Sequence, residues 1–233
     1  GMLINSTGFV SWVPQYAGYY GPITILVSDG GEDGVEPISQ DFFLNVLPLS
    51  DLITMNWEFG MQTSLISYLG IPGDSTVQTV MDPLGDYAQS MIGEGAATTI
   101  DENGNWIGSL QYIKPTTGYW LRLNVEEPVD PAINYTLEAY PTDPDIVYHL
   151  HEGPNLTSYV GPDGASLDAA LPDSVEMYIT GLITAGEAAW RMPSGDWVGS
   201  LTEWNVLSGY WVIVEVDGDL STLDSLHFSF VND

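Results

Sequence analysis

The chain has no cysteine, which excludes a disulfide framework and every thiolate metal site. Positive charge is almost missing as well. Lys114, Arg122 and Arg191 stand against 32 Asp and Glu residues, for a formal net charge of -29. A surface of that sign repels phosphate backbones, so nucleic acid is excluded as a partner. It disfavours anionic membrane surfaces for the same reason. No apolar run reaches the length that spans a bilayer, so no membrane insertion is expected. There is no P-loop, dinucleotide fingerprint, nucleophile elbow or Ser-His-Asp pattern. Carboxylates are so abundant that a glycosidase-type pair leaves no distinguishable signal. The chain therefore reads as a protein that is not an enzyme.

What is present favours strands. The hydrophobic fraction is 44%, with 8 Trp and 13 Tyr, enough to fill a packed core. Aromatic and β-branched residues suit a pleated surface, and 25 Gly with 15 Pro supply many turns. The strongest pattern is self-similarity at an offset of 91 residues. Ser64-Leu-Ile-Ser-Tyr-Leu-Gly70 returns as Asn155-Leu-Thr-Ser-Tyr-Val-Gly161, and Trp106-Ile-Gly-Ser-Leu110 as Trp197-Val-Gly-Ser-Leu201. Gly118-Tyr119-Trp120 returns as Gly209-Tyr210-Trp211, and Gly95, Ala97 and Gly104 as Gly186, Ala188 and Gly195, all without a gap. Such register predicts two copies of one fold.

In each copy the pattern predicts a strand over the Leu-x-Ser-Tyr segment, then one short helix N-capped by Ser75 or Ser166 and cut off by Pro83 or Pro172. A strand through Tyr87, Gln89 and Met91, or through Val175, Met177 and Ile179, leads into a hairpin. Its turn is Glu102-Asn-Gly-Asn105 in copy one and Pro193-Ser-Gly-Asp196 in copy two. Core strands from Tyr119 and Tyr210, and closing strands over 135–140 and 226–231, complete each copy. The expected fold class is mainly β: a partial immunoglobulin-like sandwich, then two tandem small β-sandwich or barrel modules, each with one short helix. The boundaries read as 1–50, 51–143 and 144–233.

The opening segment lies outside the repeat. The run Gly1-Met-Leu-Ile-Asn-Ser-Thr-Gly-Phe-Val-Ser-Trp-Val-Pro14, followed by Ile-Leu-Val-Ser-Asp-Gly30 and Phe-Phe-Leu-Asn-Val46, resembles the second half of a bacterial immunoglobulin-like or cadherin-like module. Such modules are seven-stranded sandwiches strung along secreted and cell-surface proteins. The repeats themselves are similar to modules carrying Trp-x-Gly-Ser-Leu and Gly-Tyr-Trp at the ends of large bacterial surface proteins. The resemblance implies an extracellular or cell-surface location. Three strands where the family uses seven imply either completion, by the first repeat or by strands from another chain, or a fragment that lacks the module's first strands.

Candidate site residues are few. Asp101, Asn103 and Asn105 imitate the start of a calcium loop, although Tyr112 stands where its distal Glu belongs. Asp217 and Asp219 form a second oxygen-rich turn, and calcium is the ion both imply. Solvated acidic turns are the plainer account of each. Aromatics shared by the copies read as core. Trp12, Trp57, Trp190 and Trp204 have no Trp at the equivalent position in the other copy, so they read as contact or ligand aromatics. His149 and His151, two apart on an extended segment, would share one face. Asn5, Asn134 and Asn155 sit in Asn-x-Ser/Thr sequons. The functional expectation is a structural or adhesive protein whose partners are copies of itself or other cell-surface proteins, with a filament subunit as its sharpest form. A carbohydrate- or peptide-binding module of a large adhesin is the alternative.

Overall fold

The structure is a computed structural model and describes residues 3–4, 10–11, 18–27, 38–46, 51–215 and 226–231. The chain divides into two units, residues 1–52 and 53–233. It is mainly β, built of antiparallel sheets with a few short helices.

In the first unit, β1 (Leu3–Ile4) pairs with β2 (Val10–Ser11), and β3 (Gly18–Val27) pairs with β4 (Ile38–Val46). The long ribbon shifts register between Tyr20 and Ile23, where Pro22 has no N–H to give the ladder. Asn5 and Trp12 lie outside the described residues.

The second unit holds both copies. Copy one runs β5 (Ile53–Phe59), β6 (Thr63–Ile66), β7 (Gly70–Ile71), α1 (Val77–Met81), β8 (Ala88–Gly93), β9 (Ala96–Ile100), β10 (Trp106–Gly108), β11 (Tyr119–Leu123) and β12 (Ile133–Pro141). Copy two runs β13 (Tyr148–Leu150), β14 (Gly153–Thr157), β15 (Ala165–Ser166), α2 (Leu167–Ala170), α3 (Asp173–Glu176), β16 (Ile179–Thr184), β17 (Glu187–Arg191), β18 (Trp197–Gly199), β19 (Glu203–Trp204), β20 (Tyr210–Val214) and β21 (Leu226–Phe228). The main sheets match strand for strand: β10-β9-β8-β11-β6 in copy one, β18-β17-β16-β20-β14 in copy two. A second layer, β5-β12-β7 or β13-β21, closes each copy over its own core.

The repeated motifs have specific backbone work. In Trp-x-Gly-Ser-Leu the glycine lies so close to the neighbouring strand that a Cβ on Gly108 or Gly199 would collide with the carbonyl oxygen of Ala97 or Ala188. Those carbonyls accept the N–H groups of both following residues, Ser109 and Leu110 or Ser200 and Leu201. The serine hydroxyls accept the amides of Ala97 and Ala188, at 3.2 and 3.1 Å. In Gly-Tyr-Trp the tyrosine is core. Tyr119 Oη accepts the Lys114 amide at 2.8 Å and Tyr210 Oη accepts the Asn205 amide at 2.7 Å. Burial pushes both phenols above their ordinary pKa, so each stays a neutral acceptor.

The glycine of that motif joins the copies. Gly118 N–H donates to Leu156 O and Gly209 N–H to Leu65 O, both at 3.2 Å. Ser67 N–H donates to Leu207 O at 2.9 Å and Ser158 N–H to Thr116 O at 3.2 Å. Every one of these atoms maps onto its counterpart by the 91-residue offset, so the copies meet about a pseudo-two-fold axis. A Cβ on Gly118 would stand 2.7 Å from Thr157 O and 3.1 Å from Gly209 Cα. Leu207 adopts a left-handed φ of 68°, and its carbonyl receives both Ser67 N–H and, at 3.2 Å, Trp57 Nε1–H.

Several expectations need correction. Trp57 and Trp204 are core residues, 8% and 0% exposed. They pack against equivalent tyrosines from non-equivalent strands: Trp57 meets Tyr68 at 5.4 Å between ring centroids, and Trp204 meets Tyr159 at 5.2 Å. At the positions equivalent to Trp57 and Trp204 the other copy holds Tyr148 and Ile113, both buried, so each indole belongs to the shared core although its counterpart is not a Trp. The 91-residue offset holds through β11 and β20 but not to the closing strand. Trp57 stacks on Tyr135 at 4.7 Å and Tyr148 stacks on Phe228 at 5.5 Å, so the partners are 93 apart. Val175 lies in α3 rather than in a strand, and Met177 caps that helix. Copy two has two helices instead of one because Leu171, preceding Pro172, is extended. In copy one Asp82 stays helical and a 3-10 turn over 82–87 follows α1 directly. The cap of α1 is Thr76, whose hydroxyl accepts from Thr79 N–H, rather than Ser75.

Gly108→Ala and Gly199→Ala should each destabilise the fold by about 1–3 kcal/mol through overpacking against backbone that has no alternative position. Trp204→Ala should cost about 3–5 kcal/mol. Urea unfolding checks both, and a loss under 0.5 kcal/mol (roughly, the level of a neutral surface change) at either glycine would remove the account given of the motif.

Candidate functional site

A cleft of about 630 Å³ opens where the copies meet. Its walls come from the β8–β9 turn and the segment before β11 in copy one, and from β13 and β14 in copy two. It gathers Glu94, Tyr112, Lys114, His149, His151 and Asn155. Copy symmetry does not produce this set. The positions equivalent to Glu94, Tyr112 and Lys114 hold Ala185, Glu203 and Asn205, and those equivalent to His149 and His151 hold Glu58 and Gly60. The one lysine of the chain and two of its three histidines therefore meet in a single place.

Glu94 ties the cleft together. It follows Gly93 at the tip of the β8–β9 hairpin, and Gly95, with φ of 68°, makes that tight turn possible. One carboxylate oxygen accepts Leu156 N–H at 2.8 Å and the other lies 2.6 Å from His151 Nε2. His151 Nδ1 lies 2.7 Å from the Glu152 carbonyl. Only a doubly protonated ring donates to both oxygens. The Glu152 carbonyl first, and then the Glu94 carboxylate, hold the imidazole above its ordinary pKa of 6.5. Asn155 is a structural strut. Its Oδ1 accepts His151 N–H at 2.8 Å, and its Nδ2 donates to His151 O at 2.8 Å, Gly153 O at 3.0 Å and Val212 O at 3.4 Å.

The remaining candidates are scattered. Asn155 is 3% exposed, so its sequon is closed to a glycan in the folded protein, whereas Asn134 is exposed on β12. Asp101 Oδ1 accepts the amides of Asn103 at 2.8 Å and Asn105 at 2.9 Å, making a side-chain-capped turn between β9 and β10. The Asn105 amide is the main cause holding that carboxyl below its ordinary range. Asp217 and Asp219 lie outside the described residues. Trp190 is 50% exposed, with its six-membered ring against Gly181. Among the described residues no group of three or more His, Asp or Glu is placed to hold a metal ion. No helix among them is long and apolar enough to cross a membrane.

His149 and His151 both line the cleft, and the two rings make different contacts. His151 reaches Glu94, while His149 lies beside His227 on the adjacent strand, at 4.3 Å between ring centroids. Sequence reasoning missed Glu94, Lys114 and Tyr112 as cleft residues. The only signal for them is that each differs from its counterpart in the other copy. Comparison with known proteins finds no matching family profile, curated relative or solved structure.

Asn155→Ala should cost about 2–3 kcal/mol, because it strands the His151 N–H and removes donors from buried carbonyls. The His151 contact should respond to pH with a defined sign. A pKa raised on folding adds stability below the unfolded value near 6.5, lost as pH rises through the folded value. The side chain is 56% exposed, so the step should be no more than about 1 kcal/mol. It should vanish in His151→Gln; a pH profile unchanged by that substitution would contradict the assignment.

Proposed function

We propose that this chain is a secreted or cell-surface structural or adhesive protein that assembles with copies of itself. The β3–β4 ribbon is the observation that carries the reading. Among the described residues β3 and β4 pair with each other and with no other strand. Leu26 at 64%, Ile38 at 73% and Phe43 at 62% exposure put large apolar side chains on that ribbon. Exposed apolar groups on a two-stranded ribbon are covered when a neighbouring chain adds strands. The resemblance to immunoglobulin-like surface modules supports the same direction. A head-to-tail contact of this kind propagates into a filament unless it closes into a ring.

The cleft favours a second reading, recognition of a glycan or peptide, because it places an exposed tyrosine beside a lysine, a carboxylate and two imidazoles. Calcium fits either reading as an ion held by acidic loops and as relief for a charge of -29.

Native assembly size decides the first reading. Light scattering and sedimentation should show concentration-dependent oligomers for the whole chain. Ile38→Lys, which puts a charge at an exposed apolar position of the ribbon, should reduce them to monomers without lowering the melting temperature of residues 53–233. A chain that stays monomeric at high concentration, before and after removal of residues 1–52, overturns the reading. A glycan array probed with the whole chain and with Lys114→Ala tests the second. Millimolar calcium should raise the melting temperature more than sodium at matched ionic strength.

A further inference from the structure

We propose that His149 and His227, placed directly opposite each other on β13 and β21, form a two-imidazole site for a transition-metal ion such as Zn²⁺, Ni²⁺ or Cu²⁺. The register Tyr148↔Phe228, His149↔His227, Leu150↔Leu226 sets the pair. Tyr148 and Leu150 point into the core, so alternation sends His149 outward, and His227 is exposed across from it. The rings already touch, with centroids 4.3 Å apart and planes at 78°. Directly opposite Cβ atoms lie about 4.5–5.5 Å apart. An ion bound about 2.0–2.1 Å from one nitrogen of each ring is therefore reached by turning the two exposed rings about χ2, where the wells are broad, with His227 exchanging the contact it makes here for the metal.

The backbone beneath is fixed. Tyr148 stacks on Phe228 at 5.5 Å and meets Phe230 at 5.0 Å edge-on, which anchors both strands under the pair. The ligands thus sit on paired strands over a packed core, so binding has to order the two side chains and not the backbone that carries them. Imidazole selects zinc, nickel and copper over calcium and magnesium, which prefer oxygen. The site is therefore chemically distinct from any acidic-loop calcium site, and the surrounding negative charge raises the local concentration of divalent cations. Two protein ligands leave the remaining positions to water or to donors from a bound molecule.

The experiment uses the whole 233-residue chain. Melting is followed with Zn²⁺, Ni²⁺ or Cu²⁺ added one at a time, against Ca²⁺ and Mg²⁺ at equal concentration. Metal at about 100 times its Kd should raise the melting temperature by about 5–10 °C, with Cu²⁺ acting at the lowest concentration. His149→Gln and His227→Gln should each abolish the rise, His151→Gln should keep it, and the double variant should lose no more than either single one. The unmodified protein gives an independent reading. With three histidines, zinc titration should shift the imidazole proton resonances of His149 and His227 and leave those of His151 in place. A rise that survives in both Gln variants, or one that Ca²⁺ matches, assigns the effect to the acidic surface and overturns the proposal. Equal shifts of all three histidines overturn it too.

Discussion

Everything in residues 53–233 is arranged around a short reciprocal exchange of main-chain hydrogen bonds. Gly118 and Gly209 donate across the pseudo-two-fold axis to Leu156 and Leu65, and Ser67 and Ser158 donate back to Leu207 and Thr116. Backbone groups buried at such a contact must find partners, and here each copy supplies what the other lacks. The contact needs two chains of atoms within van der Waals distance, and glycine is the only residue that leaves room for it. A side chain on either glycine would push the copies apart. With them would go the cleft, whose walls come from both sides.

Much of this was legible in the sequence. The 91-residue offset, the aromatic-glycine motifs and the Asn-Gly turn lead to two antiparallel modules with tyrosines inside. The reasons behind the motifs were less legible. Gly108 and Gly199 read as part of the strand that leaves each hairpin turn, with no reason evident for a glycine, yet they stand at a close approach to the Ala97 and Ala188 carbonyls. Gly118 and Gly209 read as part of a core motif, yet they serve the junction. Repetition shows that a residue is needed twice and does not show whether the need is inside a copy or between copies.

The misses have a common physical origin. The positions equivalent to Trp57 and Trp204 hold Tyr148 and Ile113, so comparing residue types marks the indoles as unmatched although all four positions are buried. The Asn155 sequon is a local string, whereas its closure depends on Val212, 57 residues away. Glu94 and His151, and His149 and His227, meet only through the fold. Pairs at that separation leave no periodicity and no spacing rule in the chain.

The covalent link between the copies has one more consequence. When two separate identical chains meet about a two-fold axis, every residue on one side is obliged to recur on the other, and a new side chain appears twice or not at all. Tandem fusion lifts that obligation. A substitution at one rim of the junction leaves the opposite rim as it was, so the shared backbone contact can stay fixed while the surfaces around it diverge. Lys114 where the other copy has Asn205, and Glu94 where it has Ala185, show a molecule that keeps its symmetry in the main chain and has abandoned it in these side chains.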